Sequence, residues 1–154
     1  MNRHLTIYTD GACRGNPGEA GIGIVVMEND AVLKEISHPI GTATNNIAEY
    51  TALSLALQEA HVLKADSLKI FSDSELMVQQ IRGLYKVKHA NIIPLFEQCK
   101  QGAAKFKHFE IDLIPREKNK RADVLAKNAI YPKQAKAVAS PPKGGGEESP
   151  SSKG

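Results

Sequence analysis

The sequence has no tryptophan, 5% aromatic residues and only two cysteines in 154 residues. Cys13 and Cys99 lie far apart in the chain. The N-terminus, "MNRHLTIYTD", runs straight into a strand pattern without an apolar signal core. Two free thiols in a reducing cytoplasm are therefore expected rather than a disulfide. No run approaches about 18 consecutive apolar residues, so the sequence contains no candidate membrane-spanning helix. A dominant charge is also missing. The formal net charge is +3, and the segment from Tyr131 onward, with four lysines and two glutamates, leaves the preceding body at only +1. That balance argues against a large uniform positive field for gripping nucleic acid.

What is present is ordinary for one globular domain: 42% hydrophobic and 24% charged residues. "HLTIYTD" alternates and reads as a strand, with Leu5 and Ile7 on one face. "AGIGIVVMEN" and "AVLKEISHPI" follow as two more strands, joined by a turn at Asn29-Asp30. The period then changes. "NIAEYTALSLALQEA" reads as a helix. "SLKIFSD" is a strand feeding the helix "SELMVQQIRG", which stops at Gly83. A further helix is expected over about 93–106, with Pro94 in its first turn, then the strand "HFEIDLI" and the helix "KRADVLAKNAI". The order βββ-α-β-α-α-β-α implies an α/β fold. Its five-stranded mixed sheet has three antiparallel strands, then strands alternating with helices, and helices on both faces. Residues 1–131 form the expected domain. Beyond them the composition falls into "SPPKGGGEESPSSKG", and 132–154 read as a disordered low-complexity tail.

Four carboxylates recur at strand ends and helix starts, which gather at one edge of an open sheet. Asp10 ends the first strand, Glu49 lies in the first turn of the first helix, Asp73 sits where a strand gives way to a helix, and Asp123 lies in the first turn of the last helix. Each has a plain structural use. Glu49 would complete a capping box with Asn46, Asp73 would cap a helix, Asp123 would answer a helix dipole, and Asp10 would start a turn. Converging together, they would repel severely unless divalent cations such as Mg²⁺ or Mn²⁺ relieved them. The stretch "TDGACRGNPGEAGIG" is neither a Walker A loop nor a dinucleotide fingerprint, because no Gly-Lys-Ser/Thr follows and the chain continues as strand. It reads instead as a permissive loop walling a groove, with Asp10 aimed inward.

The segments "TDGACRGNPGEAG", "TNNIAEYTAL", "FSDSELMVQQI" and "NKRADVLAKNA" resemble, in order and spacing, the motifs of type 1 ribonuclease H, over about residues 3–130. The resemblance implies the ribonuclease H-like fold and a metal-dependent endonuclease that cuts the RNA strand of RNA–DNA hybrids, leaving 5′-phosphate and 3′-hydroxyl ends. It implies that Asp10 bridges two Mg²⁺ ions, that Asp123 completes the ion that activates water, and that Glu49 and Asp73 hold the other, with Mn²⁺ a possible substitute. It also implies that Cys13, Asn16, Asn45 and Asn46 contact the hybrid backbone, and that Thr44 with Asn45 holds a phosphate of the DNA strand. The plain reading of "ATNN" is helix entry, with Asn46 as cap.

Two departures from the family pattern stand out. Some members carry a basic protrusion rich in Lys and Trp. Here the region is the short "GLYKVKHAN", with Lys86, Lys88 and His89 as its only cations. Those members also carry a histidine before the last catalytic aspartate, whereas this loop is "IPREKNKRAD". Glu117 is the candidate auxiliary group there and Arg116 a candidate phosphate contact. His108 precedes the loop and is expected to be dispensable. The competing function is a non-catalytic hybrid-binding module, which would keep the groove and lose a carboxylate. Nothing in the sequence demands more than a monomer.

Overall fold

The computed structural model describes residues 2–131. The tail expected over 132–154 lies outside them. Strand β1 (His4–Gly15), β2 (Gly18–Glu28) and β3 (Ala31–Ala43) form an antiparallel meander. Helix α1 (Asn45–Val62), strand β4 (Ser67–Ser72), helices α2 (Glu75–Ile81) and α3 (Ile93–Ala103), strand β5 (His108–Leu113) and helix α4 (Lys120–Ile130) follow. The sheet order is β3-β2-β1-β4-β5, with β1–β4 and β4–β5 parallel. The expected mixed sheet is therefore the observed one.

Alternation sets the two faces. Leu5 and Ile7 of β1, Ile24 and Val26 of β2, and Leu68 and Ile70 of β4 share one buried cluster with Tyr50, Leu53 and Leu57 of α1. The opposite face of β2 meets α4, whose Ala122 and Ala126 are fully buried. Covered on both faces, β2 is buried without a break from Ala20 to Val26. The outer strand β3 is mostly exposed and carries Lys34, Glu35 and Pro39, residues that discourage edge-to-edge pairing.

The stretch expected to be a loop is a β-hairpin instead. Strand β1 runs past Asp10 to Gly15, pairing Asp10 with Gly23 and Ala12 with Gly21, and only Asn16 and Pro17 turn the chain. Gly11, Gly21 and Gly23 serve helix packing. A Cβ at Gly11 would lie 2.6 Å from the Ala48 backbone, and one at Gly23 would lie 2.1 Å from the Ala122 carbonyl oxygen and 2.6 Å from the Ala126 nitrogen. Glycine here lets α1 approach one face and α4 the other.

The caps also differ from expectation. Thr44, not Asn46, caps α1, accepting from the Ile47 N–H at 3.2 Å. Glu49 consequently falls in the second turn and completes no capping box. Ser74 caps α2 in the role considered for Asp73. Gly83 ends α2 in the left-handed region as expected, with φ of 84°. Helix α3 stops at Ala103, short of the expected 106.

Candidate active site

Pairing between β1 and β4 ends at Tyr8–Phe71, while β1 continues alongside β2. The sheet forks there. Asp10 lies just past the fork on β1, and Asp73 lies on the turn that leaves β4 for α2. Glu49 descends from α1 beside Gly11, where the missing Cβ allows close approach. One carboxylate oxygen from each of Asp10, Glu49 and Asp73 lies within 4.8 Å of the others. Asp123, in the first turn of α4, lies outside that group of three but near enough for its charge to act on Asp10.

The electrostatics are adverse without a cation. Asp10 is 4% exposed. Burial first, then the charges of Asp73 and Asp123, push its pKa from the usual carboxylate range up to about 8. Glu49 is pushed well upward, again chiefly by burial and then by Asp10 and Asp73. The Gly11 backbone N–H alone pulls the other way. Glu49 Oε1 is buried with no hydrogen-bond partner among the described residues. Among the described residues, no Lys, Arg or His forms an ion pair with Asp10, Glu49 or Asp73, whereas Asp123 pairs with Lys127 at 3.1 Å. Three clustered hard-oxygen donors, one with an orphaned buried oxygen, suit a divalent cation such as Mg²⁺ or Mn²⁺.

The other predicted residues form a second group. Cys13 Sγ donates to the Ala43 carbonyl at 3.3 Å, and Asn16 Oδ1 accepts from the Asn45 N–H at 3.1 Å. The β1–β2 turn is thereby tied to the start of α1. Asn16, Thr44 and Asn46 line a cavity of about 280 Å³ together with His89, Asn91 and Ile92. Asn45 does not line it. His89 and Asn91 come from the irregular connection between α2 and α3, so this segment contributes to the pocket without forming a protruding helix. Arg116 and Glu117 are exposed on a 3-10 turn, Arg116–Lys118, ahead of α4.

Sequence reasoning passed over Asn119. It is 1% exposed, and its Nδ2 donates to the Thr9 carbonyl at 2.9 Å and to Asp73 Oδ2 at 3.2 Å. The available signal was its place in "NKRADVLAKNA", one position ahead of the helix that carries Asp123.

A family profile described as reverse transcriptase-like matches residues 8–129. The bifunctional protein Rv2228c of Mycobacterium tuberculosis is 41% identical over 154 residues, covering 97% of this chain and 42% of that protein. This chain thus spans less than half the length of that relative. The solved structure of RNase H1 from Halobacterium salinarum is 35% identical with a TM-score of 0.82, covering 84% of this chain and 98% of that one. The structure of LC11-RNase H1 in complex with an RNA/DNA hybrid is 39% identical with a TM-score of 0.79, covering 84% and 99%.

Proposed function

This chain belongs to the type 1 ribonuclease H family, and on that premise we propose that it is an endonuclease cutting the RNA strand of RNA–DNA hybrids. The products in this reading carry 5′-phosphate and 3′-hydroxyl ends. The observation that carries the proposal is the packing of Asp10, Glu49 and Asp73 within 4.8 Å without a protein cation. Such an arrangement costs stability on its own and repays it only when positive charge arrives.

Asp10, Glu49, Asp73 and Asp123 would hold two Mg²⁺, with Mn²⁺ a possible substitute. Divalent cations at such a site supply Lewis-acid stabilisation of phosphoryl charge and acidify water for attack. The chain's own contribution is geometric. The buried carboxylates fix where that charge sits, and the fork of the sheet exposes it along one edge. Cys13, Asn16, Thr44, Asn45 and Asn46 then hold the hybrid's backbone beside it. Amide side chains both donate and accept, so they can sense the 2′-hydroxyl that distinguishes RNA from DNA. The cavity between Thr44 and Asn91 suits a backbone phosphate of the DNA strand. Arg116 would contact a further phosphate, and Glu117 would assist proton movement from the turn before α4.

The reading extends to a form without the basic protrusion, because residues 82–92 contain no helix. It also extends to a monomer in the cytoplasm, where the free Cys13 and Cys99 suit a reducing environment. Among the described residues no helix is long and apolar enough to cross a membrane. The domain would end near residue 131, with 132–154 as a dispensable tail.

The test is incubation with an RNA–DNA hybrid labelled on either strand, with Mg²⁺ or with chelator. Cleavage of the RNA strand alone, dependent on the cation and leaving 5′-phosphate ends, is expected. Binding of hybrid without cleavage under any divalent cation would favour the binding-module alternative.

A further inference from the structure

We infer that Asn119 is a positioning residue for the carboxylate cluster, clamping the Asp73 side chain to the β1 backbone beside Asp10 and so setting cation affinity. The inference rests on reading this cluster as the metal site of the proposed nuclease. Asn119 reaches three of the four carboxylate-bearing elements. Its Nδ2 donates to the carbonyl of Thr9, the residue before Asp10, and to Asp73 Oδ2. Its own carbonyl accepts from the Asp123 N–H at 3.1 Å, which starts α4. Both side-chain partners are obligate acceptors, a main-chain carbonyl and a carboxylate. The amide must therefore turn its NH₂ toward them, and its orientation is dictated by chemistry.

Burial makes the clamp stringent. Asn119 is 1% exposed, and its Oδ1 is buried without a partner among the described residues. A buried amide with one unsatisfied oxygen is costly, and a core position of this kind would ordinarily be better filled by an apolar side chain. The NH₂ offsets that cost by restraining a side chain that like-charge repulsion would otherwise swing away from Asp10 and Glu49. Partners that orient metal-binding carboxylates in this way commonly carry about 10–100-fold in metal affinity or activity.

The experiment uses the full chain and two variants. Asn119→Ala removes both donors. Asn119→Ser keeps a residue suited to a helix N-cap but is too short to span both acceptors. Mn²⁺ binding is measured calorimetrically without nucleic acid, well below each melting temperature. The Mg²⁺ dependence of hybrid cleavage is measured in parallel. Both variants should bind Mn²⁺ about 10-fold or more weakly and need correspondingly more Mg²⁺, while KM for hybrid stays within about twofold. A merely structural role would lower Tm without moving the cation midpoint. In the wild-type protein, saturating Mg²⁺ should shift the Asn119 side-chain amide signals in ¹⁵N NMR, a readout that needs no variant to fold. Unmoved amide signals, or folded variants with wild-type Mn²⁺ affinity, would overturn the assignment of Asn119 alone. A wild-type protein that binds no Mn²⁺ would overturn the metal reading together with it.

Discussion

Asp10 and Asp123 face each other across the site in opposite settings. Asp10 lies mid-strand, almost fully buried, with Glu49 and Asp73 as its charged neighbours. Asp123 lies on a helix surface, half-buried, with Lys127 one turn away. Its position in the first turn of α4 also places it at the favourable end of the helix dipole. One corner of the site is thus built against its own electrostatics, and the other is already compensated. A carboxylate needed only for folding would resemble Asp123. The uncompensated corner indicates that something outside the protein is expected there.

Substitution at each corner gives the largest effect and the sharpest test. Asp10→Asn and Asp123→Asn should both reduce hybrid cleavage roughly a thousandfold or more, since several kcal/mol of charge stabilisation is at stake and each ~1.4 kcal/mol is a factor of ten. Stability separates them. Without metal, Asp10→Asn should melt above wild type because it removes a buried carboxyl that must take up a proton to fold. Asp123→Asn should melt within about 2 °C of wild type, because a partly exposed ion pair on a helix surface contributes little. Calorimetric melting in chelator decides this, and a destabilised Asp10→Asn would break the comparison.

The second effect concerns how the two corners meet. Their helix and strand approach because Gly23, like Gly21, has no side chain where α4 crosses β2. Gly23→Ala places a Cβ against α4 backbone, which cannot yield as a flexible side chain would. Overpacking of this kind costs about 1–3 kcal/mol, so Tm should fall by roughly 5–10 °C. Cleavage should also drop, since Asp123 moves with the helix. A variant of unchanged Tm and full activity would show that α4 can shift freely.

Much of this architecture was legible from pattern alone. Leu5 and Ile7 announced β1, the change of period announced α1, and Pro94 and Gly83 marked helix boundaries. The grouping of Asp10 with Glu49 and Asp73 followed from their places at strand ends and helix starts. The hairpin at Asp10–Gly23 was misread because five glycines suggest a loop when considered locally. For Gly11, Gly21 and Gly23 the purpose is non-local, the approach of α1 and α4, and nothing within the segment reveals it. Asn119 escaped for a related reason. A polar residue before a helix reads as a cap, and only the folded chain shows its amide turned toward Thr9 and Asp73 over 110 and 46 residues of sequence.

A third, smaller effect is the pH dependence of the metal-free protein. The Asp10 pKa is raised in the folded state to about 8, against an ordinary value near 3.8 when unfolded. Between those values the folded state holds a proton that the unfolded state has released, so stability falls as pH rises. Metal-free Tm should drop by several degrees from pH 6 to pH 8, with Glu49 acting in the same direction. Asp10→Asn should flatten this slope, and Asp123→Asn should leave it largely in place. A metal-free Tm that rises with pH over this range would contradict the burial argument.

The smallest effects belong to the two candidates for handling protons on the Asp123 side, where no histidine stands in the loop before α4. Glu117 is exposed on the 3-10 turn three residues after Ile114, and His108 is exposed at the far, N-terminal end of β5. The strand separates His108 from the turn by its whole length, so it has no route to the leaving group. Glu117 sits on the segment that leads into Asn119 and α4, yet it is exposed and, among the described residues, nothing fixes its carboxylate. A group so placed can shuttle protons but cannot act as a held general acid, whose removal would cost about 10²–10⁴-fold. Glu117→Gln should therefore slow turnover only about threefold, and His108→Ala should stay within the near-neutral range of a surface change, about 0.5 kcal/mol in stability and no more than about twofold in rate. Multiple- and single-turnover cleavage of one hybrid separates the steps. If Glu117 assists a proton transfer or product departure, its loss should appear in multiple turnover more than in a single one. A His108→Ala enzyme that folds but is as inactive as Asp123→Asn would falsify this division of roles and move the proton-handling group to the opposite end of β5.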